Sequence, residues 1–144
     1  MKAIEKLKEE DKRKALACRW HNEVKSLNFE VGEEDIVEPM DITVKDGRRV
    51  YQRGILFVMT KAFYELYPDL IIKVEFQLQN SLYCTIDNCK VTDEIIQNVK
   101  KKMQEIIDKD LEIKKIEMSR EEAEKFYDKE KTLRGILQLD NQYK

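Results

Sequence analysis

The spacing of apolar residues changes repeatedly along this chain, and each change predicts an element. Residues 3–14, rich in Ala, Glu, Leu and Lys, favour a helix, with Ile4 and Leu7 as a thin apolar stripe. From Leu16 the period becomes two. Leu16, Cys18, Trp20 and Val24 then face one way and Arg19, His21 and Glu23 the other, as in a strand. Leu27, Phe29 and Val31 alternate again after Lys25-Ser26, so the two runs are read as a hairpin, followed by a loop over residues 32–35. Ile36-Val37 predicts a short edge strand that stops before Pro39. Lys45-Asp46-Gly47 has the composition of a turn between strands at residues 42–44 and 48–51, with Gly47 supplying a positive backbone angle.

The period then switches to 3.6. A helix is predicted from Gly54, with Ile55, Val58, Met59, Ala62 and Leu66 on one stripe and Phe63 beside it, until Pro68 closes it. Leu70, Ile72, Val74, Phe76 and Leu78 alternate with Ile71, Lys73, Glu75 and Gln77, and after Asn80-Ser81 Leu82, Cys84 and Ile86 occupy alternating positions, giving two strands. Thr92 caps a second long helix, whose first turn holds Asp93 and Glu94 beside the positive helix end. Its core stripe is Ile95 or Ile96, then Val99, Met103 and Ile106-Ile107. A strand over residues 113–118 precedes Ser119-Arg120-Glu121-Glu122, a capping box for a third helix seated by Ala123, Phe126 and Tyr127. A last strand is expected over residues 133–139. The order from residue 54 onward is that of a small α+β layer, an antiparallel or mixed sheet with packed helices.

Composition narrows the function classes. In 144 residues, 42% are apolar and 39% charged, with four Gly and two Pro, which suits an ordered, highly charged domain or two small lobes. The 27 basic and 29 acidic residues nearly cancel, so no global charge draws the chain to nucleic acid or to a membrane. Residues 1–14 lack the apolar core of a secretory signal, and no run reaches the length of a membrane span; a cytoplasmic setting is expected. Cys18, Cys84 and Cys89 have no repeating spacing, so reduced thiols are expected rather than disulfides or a thiolate cage.

Candidate chemistry is sparse. His21 is the only imidazole, and on a strand Cys18 and His21, three apart, face opposite sides, so their Cys-x-x-His spacing does not make a metal site. Cys84 shares a face with Leu82 and Ile86 and reads as a small buried hydrophobe, whereas Cys89 lies in a polar turn with nothing to activate it. No Gly-rich phosphate loop occurs. Acidic runs such as Glu33-Glu34-Asp35 offer no convergent second acid, and Lys100, Lys101 and Lys102 fan out at about 100° per residue on a helix. The best ligand candidates are Arg48, Arg49 and Arg53, whose guanidinium groups suit phosphate, with Tyr51 and the outward-facing Tyr83 as surfaces for stacking a base. Backbone amides at Gly54-Ile55 would join that site if a helix starts there.

Several motifs together have a family likeness. Asp46-Gly47-Arg48-Arg49-Val50-Tyr51, Glu65-Leu66-Tyr67-Pro68, Ser81-Leu82-Tyr83-Cys84-Thr85-Ile86, and Ile106-Ile107-Asp108-Lys109-Asp110-Leu111 followed by Ser119-Arg120-Glu121-Glu122-Ala123 resemble the second N-terminal domain of threonyl-tRNA synthetases. The likeness is stronger to its counterpart in bacterial uridine-kinase-like proteins. There a TGS domain precedes it and a P-loop nucleoside kinase domain follows. Residues 15–31, with Cys18-Arg19-Trp20-His21-Asn22-Glu23-Val24, resemble the second half of TGS. The resemblance thus implies a partial TGS-like segment over residues 1–44 and a synthetase-like accessory domain over residues 45–144.

The resemblance also frames the activity. In the editing form of this domain, a His-x-x-x-His pair on the central helix joins a later Cys-x-x-x-His pair to hydrolyse mischarged tRNA. Counted back from Tyr67-Pro68, the first pair falls on Arg53 and Phe57, and the second has no match. Arg is permanently protonated and Phe has no polar atom, so neither replaces imidazole as ligand or base. The expectation is a non-catalytic module with no metal or cofactor of its own. It would bind RNA, such as tRNA, or a nucleotide, or dock a C-terminal kinase domain to which ATP and Mg would be confined; a divergent aminoacyl-tRNA deacylase and a protein-interaction scaffold are the alternatives.

Overall fold

A computed structural model describes residues 1–79, 81–114 and 116–127, the side chains of residues 124, 126 and 127 apart. The chain forms two compact units, Met1–Phe57 and Val58–Lys144. Among the described residues no helix is long and apolar enough to cross a membrane.

In the first unit, the predicted helix over residues 3–14 is replaced by a 3-10 turn, Ala3–Lys6, and a single α turn, α1, Glu9–Lys12. Ala3 is fully buried, and the Ala3 and Ile4 amides donate to the Phe29 and Leu27 carbonyls at 2.8 and 2.9 Å. Those long-range bonds outcompete a continuous helix whose apolar stripe is too narrow to bury.

A three-stranded antiparallel sheet follows, with β1 Ala17–Trp20 between β2 Glu23–Lys25 and β3 Glu38–Met40. The expected single strand from Leu16 to Val24 is instead folded at His21-Asn22, so Trp20 pairs with Glu23 and Cys18 with Lys25. Both turn residues have positive φ, 45° and 64°, the conformation that a two-residue hairpin requires. Val24 consequently moves out of the core and is exposed. Pro39 lies inside β3, opposite Cys18, instead of beyond the strand. An edge position tolerates its missing N–H. Ala3, Cys18 and Val31 form the core, with Trp20, Leu27, Phe29 and Val37 packed on it.

The largest correction concerns Lys45-Asp46-Gly47. It is not a turn between strands but the first turn of α2, Lys45–Leu66. Gly47 has no positive φ. Its glycine is required by space: a Cβ there would lie 1.8 Å from the Asp41 carbonyl oxygen. Asp41 shapes the entry, its Oδ1 accepting from the Thr43 amide at 2.8 Å. Gly54 is accordingly inside the helix, and the Gly54-Ile55 amides belong to its hydrogen-bond ladder rather than to a helix start.

The second unit packs the remainder of α2 with β4 Ile72–Leu78, β5 Ser81–Ile86, α3 Asp93–Asp108 and α4 Arg120–Tyr127. β4 and β5 form an antiparallel pair, and Ala62, Phe63, Val99 and Ile106 form the core with Val58, Met59, Tyr67, Ile72, Ile95 and Met103 around it. Ile55 and Leu66, placed on the core stripe from sequence, are exposed. For α3 the structure selects Ile95 and Ile106 and leaves Ile96 and Ile107 half exposed. Thr92 caps α3 as expected, its hydroxyl accepting from the Ile95 amide at 3.3 Å.

The register of β4 slips at Glu75: Val74 pairs with Cys84 but Phe76 with Tyr83. This bulge moves Phe76 from the expected inward face to that of Tyr83. Ser119 and Glu122 form the predicted capping box, with reciprocal bonds of 2.9 and 3.2 Å. Residues 113, 114 and 116–118 form no strand. The strand expected over residues 133–139 and the seating by Phe126 and Tyr127 lie outside what the structure describes.

Candidate functional site

The candidate arginines stand on the first half of α2. Arg49, Arg53 and Phe57 recur every four residues, so each is rotated only about 40° from the last and the three form one stripe. All three are exposed. Arg49 Nη1 lies 3.7 Å from Asp46 Oδ1, a carboxylate that Arg19 from β1 also approaches at 3.7 Å. Arg53 forms no ion pair among the described residues.

Arg48 is turned to a different task. Its Nη1 donates to the Thr43 carbonyl at 2.8 Å and the Ile42 carbonyl at 3.3 Å, bracing the segment that enters the helix. Tyr51 is half exposed but about 200° around the helix from Arg49 and from Arg53. The structure therefore brings Arg49 and Arg53 together and puts Arg48 and Tyr51 elsewhere on α2.

Tyr83 belongs to the second unit. Its ring stacks on Phe76, with centroids 4.9 Å apart and planes 16° from parallel, and both rings are about half exposed, at 49% and 51%. The Glu75 bulge makes this stack, and Glu75 itself accepts a bond from Thr85 Oγ1 at 2.9 Å. Sequence spacing identified Tyr83 as outward-facing but missed Phe76. A Glu within an otherwise alternating run is too weak a signal to reveal a bulge.

The thiols and the imidazole do not converge. Cys18 is fully buried, and its Sγ donates to the Lys25 and Ser26 carbonyls at 3.5 and 3.6 Å. Burial pushes the Cys18 thiol up, away from the thiolate needed for nucleophilic or metal chemistry. His21 sits in the β1–β2 turn rather than on a strand face, with Nε2 3.9 Å from Asp35 Oδ1 and its ring edge-on to Trp20. Asp35 is held below the usual carboxylate range first by the Gly32 amide, which donates to it at 2.7 Å. Burial likewise raises the Cys84 thiol, whereas Cys89 is exposed. Among the described residues no group of three His, Cys, Asp or Glu side chains is placed to hold a metal ion.

A cavity of about 460 Å³ opens in the second unit between α2, α3 and the β4–β5 pair. Its walls are apolar, including Met59, Ile72, Ile86, Val91 and Met103. The sequence held a trace of it. Doubled isoleucines at 95-96 and 106-107 give α3 more apolar surface than one stripe can use.

Neither a family model nor a solved structure matches this chain. Curated relatives are threonine-tRNA ligases. That of Desulforamulus reducens is 26% identical over 119 residues, covering 82% of this chain and 19% of the relative. That of Clostridium kluyveri is 25% identical over 115 residues, 79% of the chain and 18% of the relative. In the ligase of Streptomyces avermitilis identity reaches 33% over 95 residues, 65% of the chain and 14% of the relative. The chain spans less than a fifth of the length of the curated relatives it matches. Its small antiparallel sheets and packed helices make it an α+β protein, and its sequence is similar to one segment of threonine-tRNA ligases.

Proposed function

We propose that this chain is a non-catalytic tRNA-binding module. The similarity to enzymes that join threonine to tRNA supports the choice of ligand, and it extends over most of the chain. The Arg49 and Arg53 stripe on α2 supplies guanidinium groups for backbone phosphates, contacts that set affinity and position without reading sequence. In the second unit, the half-exposed Phe76 and Tyr83 stack offers a flat apolar platform for an unpaired base.

The non-catalytic part rests on Arg53 and Phe57. They stand where the resemblance puts the editing histidines, one turn apart on a continuous helix, so the spacing suits a two-ligand site while the chemistry does not. Attachment to a P-loop nucleoside kinase domain, with ATP and Mg used only there, is the finer part of the proposal and rests on the sequence resemblance alone.

Fluorescence anisotropy with labelled tRNA tests the reading. Binding should weaken several-fold in Arg53→Gln and in Arg49→Gln and fall steeply with added salt. Equal affinity for tRNA in the doubly substituted chain would overturn the assigned face. Incubation with a mischarged tRNA supplies the other arm: hydrolysis by the unaltered chain would replace the module with a deacylase.

A further inference from the structure

Helix α3 presents two apolar stripes. Ile95, Val99, Met103 and Ile106 pack in the core, the first three also reaching the cavity wall, whereas Ile96 and Ile107 line the open cavity away from the core and remain 49% and 48% exposed. A helix that hides only one stripe leaves the second in contact with water. In the middle of that second stripe stands Lys100, four residues after Ile96 and, among the described residues, the one charged group in the cavity wall.

The polar groups nearby are otherwise engaged. Thr85 Oγ1 donates to Glu75, and the Gln104 amide donates to Asp108 Oδ1 at 2.8 Å. Lys102 is held by Glu65 at 3.0 Å and Glu105 at 3.6 Å. Among the described residues Lys100 forms no ion pair. An apolar trough of this volume with a cation at its wall has the character of a small-ligand site, in which the trough supplies affinity and the polar group orientation.

From this arrangement we propose that the cavity binds an amphiphilic carboxylate, its alkyl chain against Ile72, Ile86, Ile96 and Ile107 and its carboxylate on the Lys100 ammonium. A wholly apolar ligand would leave the exposed ammonium unpaired, and a cationic one would be repelled. An anionic head with an apolar tail satisfies both surfaces together.

Calorimetry on the full chain with decanoate, and in parallel with decanol, both below the concentrations at which they aggregate, tests the site. Decanoate should bind saturably, one per chain, and shift the methyl resonances of Ile86, Ile96 and Ile107. Lys100→Gln should weaken decanoate about tenfold, as expected for loss of one charge-assisted contact, while leaving decanol nearly unchanged. Ile107→Glu, at a half-exposed position that the fold should tolerate, should abolish binding of both. Absence of saturable decanoate binding, unchanged affinity in Lys100→Gln, or shifts confined to other surfaces would each overturn the proposal. So would a dimer that becomes a monomer on Ile107→Glu, because the trough would then be filled by a second copy.

Discussion

Replacing Gly47 by Ala should destabilise the first unit, although the same change in an ordinary helix interior stabilises by about 1 kcal/mol. An alanine Cβ at position 47 would sit 1.8 Å from the Asp41 carbonyl oxygen. Real contacts of this kind essentially never fall below 3.0 Å, so helix and entry loop must separate by about 1.2 Å, the difference of 3.0 and 1.8. Asp41 has little room to retreat. Its side chain holds the Thr43 amide, and the preceding Met40 is buried in β3 opposite Ala17. Overpacking of this type costs about 1–3 kcal/mol, and loss of the Asp41 turn adds about 1 kcal/mol. After the helix-propensity gain, a net loss of about 2 kcal/mol is expected.

Gly54→Ala is the matched control. Nothing lies within 4 Å of its added Cβ, so it should gain about 1 kcal/mol. Urea unfolding followed by the fluorescence of Trp20, the sole tryptophan and a neighbour of the first unit's core, measures both. Gly47→Ala with stability equal to or above the unaltered chain would refute the close-approach reading.

Two other outcomes follow from single side chains. Glu65 bonds Lys61 and Lys102, and the Lys61 bond, then that of Lys102, brings its carboxyl from 4.5 down to about 2. A folded value below the unfolded one stabilises above the unfolded value, so this contribution should be present at neutral pH and fade as pH falls from about 5 towards 2. The site is a third exposed, so solvent screening limits it to about 1 kcal/mol, and Glu65→Gln should flatten that part of a stability-versus-pH curve measured by thermal unfolding. At the β1–β2 turn, Asn22 has φ 64°; Asn22→Gly should leave stability level or raise it by a few tenths of a kcal/mol, whereas Asn22→Val should cost about 1–2 kcal/mol, as read by chemical denaturation.

Elements bounded by period and caps were legible in the sequence, and those set by tertiary competition were not. Thr92 and Ser119 marked helix starts because each satisfies backbone amides within its own turn. Gly47 misled because glycine serves both free backbone angles and close approaches, and only the packing of Asp41 distinguishes them. His21-Asn22 lacked the glycine that usually announces a hairpin, yet both residues adopt the left-handed region. Of the candidate site, the Arg49 and Arg53 spacing became meaningful only once α2 was known to begin at Lys45, since a turn would have scattered them. The separation of Tyr51 from those arginines follows from the same helix. The cavity depends on which isoleucine of each doubled pair turns inward, a choice made by the facing sheet and not by the helix alone.

The bulge at Glu75 has a consequence for how related chains can be compared. Because one residue there has no partner, an alignment that places a gap anywhere else in β4 exchanges inward and outward positions between the gap and the bulge. Losing that one residue would leave Phe76 directly after Val74 and still opposite Tyr83, so the stack would survive, whereas losing Lys73 with the bulge kept would bring Ile72 opposite Thr85 and turn it to the outward face. In this strand, the location of a deletion foretells its effect better than the identity of the residue removed.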